Sequence, residues 1–206
     1  MKRNHLALGI AATVVAACAG MTTAEKDYSP EALAMLKASF KERGQAKLDR
    51  LDQDDMQRMC SQYQGKALPK DVSDRLEKEQ QALIKYPADG KYLGDFKSGE
   101  RIAQSGQGKQ FNDNPANPSG ANCYACHQLS KAELSFGTIG PPLYNFGKIR
   151  GYTPEMQKYA YSKVYNSQAF AACSNMPRFG HSAILTEAQI KDVVALLMDP
   201  QSPVNK

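Results

Sequence analysis

The chain has 206 residues, 42% of them hydrophobic, enough for one ordinary domain with an extension or for two small ones. Its 26 Lys and Arg against 21 Asp and Glu leave a formal net charge of +5, and with no cluster of basic residues interleaved with aromatics there is no footing for nucleic acid as a partner. After the N-terminus no apolar run approaches the roughly 18 residues of a spanning helix, so no internal membrane span is expected.

The first residues, MKRNHLALGIAATVVAACAG, place Lys2 and Arg3 before an uncharged apolar run from Leu6 to Ala17, then small residues. That is the layout of a secretory signal, assigned to residues 1–24. Two cuts fit it. Val15-Ala16-Ala17-Cys18 looks like a lipoprotein signal, in which Cys18 is acylated and becomes residue one; ordinary cleavage falls after Ala19 or Ala24. One acyl chain gives modest membrane attachment and several anchor more firmly. Either cut removes Lys2 and Arg3 and no acid, taking 26 against 21 to 24 against 21, or +3. A balance that small favours at most weak docking to an acidic face. Four cysteines remain, Cys60, Cys123, Cys126 and Cys173, and export carries them into an oxidising compartment where a lone thiol is unusual.

Residues 25–90 read as a helical extension, polar and rich in Lys and Glu. SPEALAMLKASFKERG sets Ser29 as a cap, Pro30 at the first helical position and Gly44 as a stop, with Leu33, Leu36 and Phe40 at helical spacing. QAKLDRLDQDDMQRMCSQY continues helical through Leu48, Leu51, Met56 and Met59, and SDRLEKEQQALIKYP is a third amphipathic segment stopped by Pro87. Composition then shifts to Gly, Asn and Gln as far as Asn117, with a short helical stretch around Glu100 to Ser105. Past a Gly/Pro loop, Thr153-Pro154 opens a helix with Met156, Tyr159, Ala160 and Val164 on one stripe. In the last helix Thr186 and Gln189 form a capping box, Ile190, Val193, Val194 and Leu197 share a face, and Asp199-Pro200 ends it. No strand alternation is evident, so the fold class expected is all-α.

Cys123-Tyr124-Ala125-Cys126-His127 is the c-type haem attachment pattern. Two thiols separated by two residues on a helical turn reach the two vinyl groups on one edge of a porphyrin, and the next residue supplies an imidazole nitrogen to the iron. A redox dithiol would want a thioredoxin-like βαβ context, which is absent. A zinc site would want a second Cys/His pair at suitable spacing. A plain disulfide staple does not account for the histidine. One motif means one covalent haem c.

For the sixth iron ligand the candidates are Met156, Met176, His181 and Met198. Met156 and Met198 lie on apolar helix faces and suit the core. Met176 sits in the loop NMPRFG, stiffened by Pro177, and Met/His ligation is the common cytochrome c pairing. His181 is the alternative, giving a bis-His haem. In GPPL a prolyl carbonyl, that of Pro141, is placed to accept a hydrogen bond from His127 Nδ1 and orient it, although a plain turn has the same sequence. Cys60 and Cys173 either pair, tying the extension to the Met176 loop, or remain as thiols. With the pair made and the others on haem, no cysteine nucleophile remains apart from Cys18. His127 is committed to iron and only His181 is left, so no Ser/His/Asp set assembles. The chain reads as one that moves electrons and catalyses little alone.

The stretches GDFKSGERIAQSGQGKQF, GANCYACHQLS, GTIGPPLYNFGKIRGY and CSNMPRFGHSAILTEAQIKDVVALLMDPQSPVN together resemble the monohaem X subunit of the SoxAX cytochromes of sulfur-oxidising bacteria, over about residues 91 to 205. CxxCH and GPP are shared with many class I cytochromes c, whereas CSNMPRFGH and DPQSPVN are more particular to that subunit. The resemblance implies a class I cytochrome c-like domain over residues 91–206. Cys123 and Cys126 would attach the haem, and His127 and Met176 would ligate the iron. It also implies a heterodimer with an A subunit in the periplasm, where the complex, an L-cysteine S-thiosulfotransferase, oxidatively joins thiosulfate to a cysteine of a sulfur-carrier protein. The X haem would take up the electrons and pass them to a small acceptor protein. The residues by themselves also accommodate a free-standing soluble class I cytochrome c.

Overall fold

The computed structural model describes residues 26–63 and 65–206. The signal and Cys18 lie outside the described residues. Among the described residues seven α-helices follow one another: α1 (Ser29–Ser39), α2 (Asp55–Gln62), α3 (Lys70–Ala82), α4 (Phe96–Gln104), α5 (Phe146–Arg150), α6 (Pro154–Tyr165) and α7 (Glu187–Met198). Short 3-10 turns stand at Leu48–Leu51, Cys123–Ala125, Ser167–Ala169 and Pro203–Asn205. Among the described residues the extended pairing is a single bridge between Arg43 and Ala46.

The packing centre is the crossing of α4 over α7. Helix α7 is apolar on nearly every side after its first turn: Ile190, Val193, Val194, Leu196 and Met198 are each at most 3% exposed, so it runs through the core and not along its surface. Gly99 makes the crossing close. A Cβ there would run into the backbone of Asp192 and stand 3.0 Å from Leu196 Cβ. Before the crossing, Gly94 N–H donates to Lys191 O at 3.0 Å and Asp95 N–H to Asp192 Oδ1 at 2.8 Å. Helix α6 packs on the other side of α7 through Ala160, Tyr161, Val164 and Tyr165. Tyr161 is fully buried, stacks on Tyr165, meets Tyr92 at a tilt, and donates its hydroxyl to Lys85 O at 3.2 Å. Of the stripe expected through Met156, Tyr159, Ala160 and Val164, Ala160 and Val164 are buried and Met156 and Tyr159 half-buried; the inward aromatics are Tyr161 and Tyr165, and the Tyr161 hydroxyl finds a carbonyl partner.

The capping box of α7 and the Thr153 cap of α6 form as the sequence implies. Other boundaries differ. Ser29 is not a cap: Tyr28 holds that position, and Asp27 accepts the Ser29 N–H at 2.9 Å. Helix α1 ends at Ser39, whose hydroxyl turns back to Met35 O at 2.7 Å, well before Gly44. The helix expected through Leu48 to Met59 is broken at residues 52–54, because Asp54 forms a capping box with Gln57 and starts α2 afresh. Helix α3 stops at Ala82, its last turn tightened by Leu83 and Ile84 N–H bonds to Gln80 and Gln81, before Pro87 acts. Helix α4 starts at Phe96, four residues earlier than expected, because Asp95 accepts the Lys97 N–H and the Ser98 hydroxyl.

The C-terminal tail is a tie. Asn205 is 1% exposed. Its Oδ1 accepts the N–H groups of Gly147 and Lys148 at 2.9 and 3.2 Å, and its Nδ2 donates to Leu197 O and Asp199 O at 3.1 and 2.9 Å. One side chain so satisfies the open donors at the start of α5 and the open acceptors at the end of α7. Met198, fully buried, fills the core, and Met156 packs at its edge.

Two substitutions test this packing. Gly99→Ala is expected to lower unfolding free energy by about 1–3 kcal/mol, as overpacking does, and Asn205→Ala by about 3 kcal/mol through buried groups left unpaired. Denaturant titration of both variants measures it; wild-type midpoints would contradict the arrangement.

Candidate haem site

The CxxCH segment is a single tight turn hung from the end of α4. Ala121 N–H donates to Ile102 O, and Asn122 N–H to Ser105 O, each at 2.9 Å. Asn122 then takes the left-handed conformation at φ 47°, which asparagine tolerates better than most residues. That reversal starts the 3-10 turn Cys123–Ala125, in which Cys126 N–H and His127 N–H both point to Cys123 O at 3.1 and 2.9 Å. Both cysteine side chains and the imidazole therefore leave one compact turn.

Cys123 and Cys126 are free of any disulfide. Burial pushes the Cys123 thiol up to about 12. An exchange-active dithiol needs the opposite shift, a lowered thiol pKa. A neutral, half-buried sulfur packed against the core suits a thioether bond to an apolar cofactor. Among the described residues no group of three or more His, Cys, Asp or Glu gathers to hold a metal ion.

The Gly/Pro loop is lashed beneath this turn. Gly137 N–H donates to Tyr124 O at 2.8 Å, Gly140 N–H to Cys126 O at 2.8 Å, and Leu143 N–H to Gln128 O at 2.7 Å. These place Pro141 O 2.7 Å from His127 Nδ1. With Nδ1 as the donor, Nε2 keeps its lone pair, the form that binds iron. Gly140 is required for the approach, since a Cβ there would run into the imidazole ring. The loop's far end is fixed in turn by Asn145 N–H to Val204 O at 2.6 Å and by the Asn205 tie. Thiols, imidazole lone pair and supporting carbonyl are thus those a covalent haem requires, and the residues present fit that group.

Met176 lies on a separate loop after the Ser167–Ala169 turn. Its side chain is half-buried and packs against the main core cluster. The backbone around it is held: Ser167 Oγ donates to Met176 O at 2.5 Å, and Met176 N–H to Ser174 Oγ at 3.3 Å. His181, five residues on, donates its N–H to Tyr165 O at 3.1 Å. Its Nδ1 is buried with no hydrogen-bond partner, and burial, reinforced by the Arg178 charge, lowers its pKa from the ordinary histidine value.

The same loop carries the Cys60–Cys173 pairing that the sequence offered, and further contacts that it does not announce. Cys173 is joined to Cys60 with S–S 2.03 Å, across a separation of 113 residues. Arg178 is 9% exposed, pairs with Asp54 Oδ2 at 2.6 Å and donates to Gln80 Oε1 at 3.1 Å. Burial opposes ionisation of Asp54, but the Gln57 N–H and the Arg178 guanidinium outweigh it and hold that carboxyl below its usual range. Gln80 also accepts from Asn166 Nδ2 at 2.9 Å. Nothing local marks Arg178 or Gln80, because their partners are nearly a hundred residues away.

Residues 107–199 match the cytochrome c family. Over 130 residues the chain is 40% identical to an uncharacterized lipoprotein of Aquifex aeolicus (strain VF5), a match taking in 63% of this chain and 61% of that protein, so the chain spans about three fifths of that relative's length. The crystal structure of SoxXA from P. pantotrophus is similar at 25% identity with a TM-score of 0.39, over 58% of this chain and 90% of that one. Residues 107–199, which hold the CxxCH turn, the prolyl loop and Met176, are a cytochrome c domain, all-α, whose cofactor is covalently attached haem c and whose work is electron transfer.

Proposed function

We propose that the protein is the electron-transfer subunit of an exported thiosulfate-oxidising complex, the counterpart of the X subunit of SoxAX. The observation that carries the electron-transfer reading is the His127–Pro141 bond beside two unpaired cysteines on one turn. Support for the particular complex is the wording of two segments, CSNMPRFGH and DPQSPVN, which resemble that subunit more closely than cytochromes c in general.

In this reading Cys123 and Cys126 would attach the single haem c, and His127 Nε2 and Met176 Sδ would ligate its iron. Bound haem c supplies a one-electron iron couple, whose potential Met/His ligation raises. The chain's own residues keep that couple in place. Pro141 O fixes the imidazole tautomer, the loop at 137–143 carries the carbonyl, and the second loop presents the thioether. Joining thiosulfate sulfur to a cysteine sulfur removes two electrons, and the nucleophile for that step belongs to the partners. Among the described residues Cys60 and Cys173 are spent on each other, and Cys123 and Cys126 are assigned to the haem. An A subunit would hold the catalytic haem, a sulfur-carrier protein would bring the cysteine, and a small acceptor protein would remove the electrons.

The N-terminal signal supports export to the periplasm, and the lipoprotein relative supports acylation at Cys18. On this reading residues 25–90 are an extension to the cytochrome c domain of 91–206.

Two measurements test the reading. The ferric protein is expected to show the far-red thioether band at about 695 nm that goes with Met/His ligation. Met176→Ala abolishes the band and His181→Ala keeps it; a wild-type ferric protein without the band would point to His181, since a bis-His haem has no thioether on its iron. Affinity purification from cells grown on thiosulfate is expected to bring down a second haem protein. A stable monomer with wild-type spectrum and no such partner would favour a free-standing carrier.

A further inference from the structure

We infer that helices α2 and α3 are the clamp that holds Met176 on the iron, with Asp54, Arg178, Gln80 and the Cys60–Cys173 bridge as its positioning residues. The inference rests on the proposed ligation by Met176. Its basis is where the attachments fall. Cys173 stands three residues before the methionine and is covalently bound to α2. Arg178 stands two residues after it and is bound to Asp54, at the start of α2, and to Gln80 on α3. The ligand is thus bracketed, and both brackets lead to the same two helices. A third contact, from Ala172 N–H to Glu77 Oε1 at 2.9 Å, fastens α3 to the loop next to the bridge.

The chemistry of each bracket is that of a restraint. The span 173–178 is too short to swing while both ends are fixed. Cys173 itself sits at φ 61°, in the left-handed region that a side chain other than glycine's rarely adopts, held there by what surrounds it. The Arg178 guanidinium is almost wholly removed from water, so moving the loop outward would part a buried charge from its carboxylate partner, Asp54. Thioether ligation to ferric iron is weak enough for small bases in solution to compete. The population of the open loop then sets how tightly such a base binds.

The test titrates the ferric full-length holoprotein with imidazole, followed by loss of the far-red band, alongside its denaturant midpoint. Asp54→Asn removes the charge facing Arg178 while keeping a residue that caps α2 equally well. The double variant Cys60→Ser/Cys173→Ser releases the other bracket. Each is expected to tighten apparent imidazole affinity by about tenfold while the far-red band is still present without imidazole. Lys70→Ala, which breaks the exposed pair with Asp74 on the same helix, is expected to change it by less than about twofold. Unchanged affinity in both Asp54→Asn and the cysteine double variant overturns the clamp, even if both are less stable to denaturant. Survival of the far-red band in Met176→Ala overturns the ligand assignment instead, and the clamp falls with it.

Discussion

A haem iron can be held reliably only if its imidazole cannot turn, and here one hydrogen bond sets that condition. His127 Nδ1 is fixed 2.7 Å from Pro141 O. The carbonyl is where it is because three backbone bonds lash its loop to the CxxCH turn, and because Gly140 lets the loop lie flat against the ring. Tautomer, ring orientation and ligand basicity follow from that contact together. The remaining architecture can be understood as what keeps this carbonyl, and the loop carrying Met176, in register.

The two sides are held by different parts of the chain. The imidazole side belongs to the core: α4 carries the CxxCH turn at its end, α7 crosses α4 at Gly99, and the tail returns through Asn205 to pin α5 just after the prolyl loop. That closes a circuit of short-range and long-range bonds around the residues that fit the haem. The methionine side is tied to α2 and α3. Its loop leaves α6, has no regular secondary structure beyond a 3-10 turn, and is bound outward to α2 and α3 through a disulfide and a buried ion pair. This irregular segment buries Ala169, Phe179 and Leu185 in the core and adds covalent and ionic ties to them. Helix α1 is different. None of its residues is buried, and Met35 is 72% exposed.

What could be read from the sequence was local. The CxxCH turn, the Thr186–Gln189 box and the Thr153-Pro154 start are set by residues within a few positions of one another, and each has the form its spacing implies. Helix ends before residue 90 were less legible, because local bonds override Ser29, Gly44 and Pro87: Asp27 takes the Ser29 N–H, Ser39 turns back to Met35 O, Asp54 starts α2 afresh, and Leu83 and Ile84 tighten the end of α3. The ties at Arg178, Gln80 and Asn205 were not legible at all. An arginine after Met-Pro or an asparagine near the C-terminus carries no sign of its partner, and their weight comes from burial that only the folded chain creates. Gly140 was visible as part of a GPP turn, but its steric reason needed the ring of His127 beside it.

The claim beneath all of this is that a porphyrin is covalently bound through Cys123 and Cys126. Intact mass of the protein purified from an exporting, haem-competent host, read together with a pyridine haemochrome spectrum, tests it most directly. The account predicts the mass of the processed chain plus one haem, with the absorption of a doubly thioether-linked c-type pigment. A colourless protein at the mass of the bare polypeptide, or one whose haem is extracted by acid acetone, would contradict it.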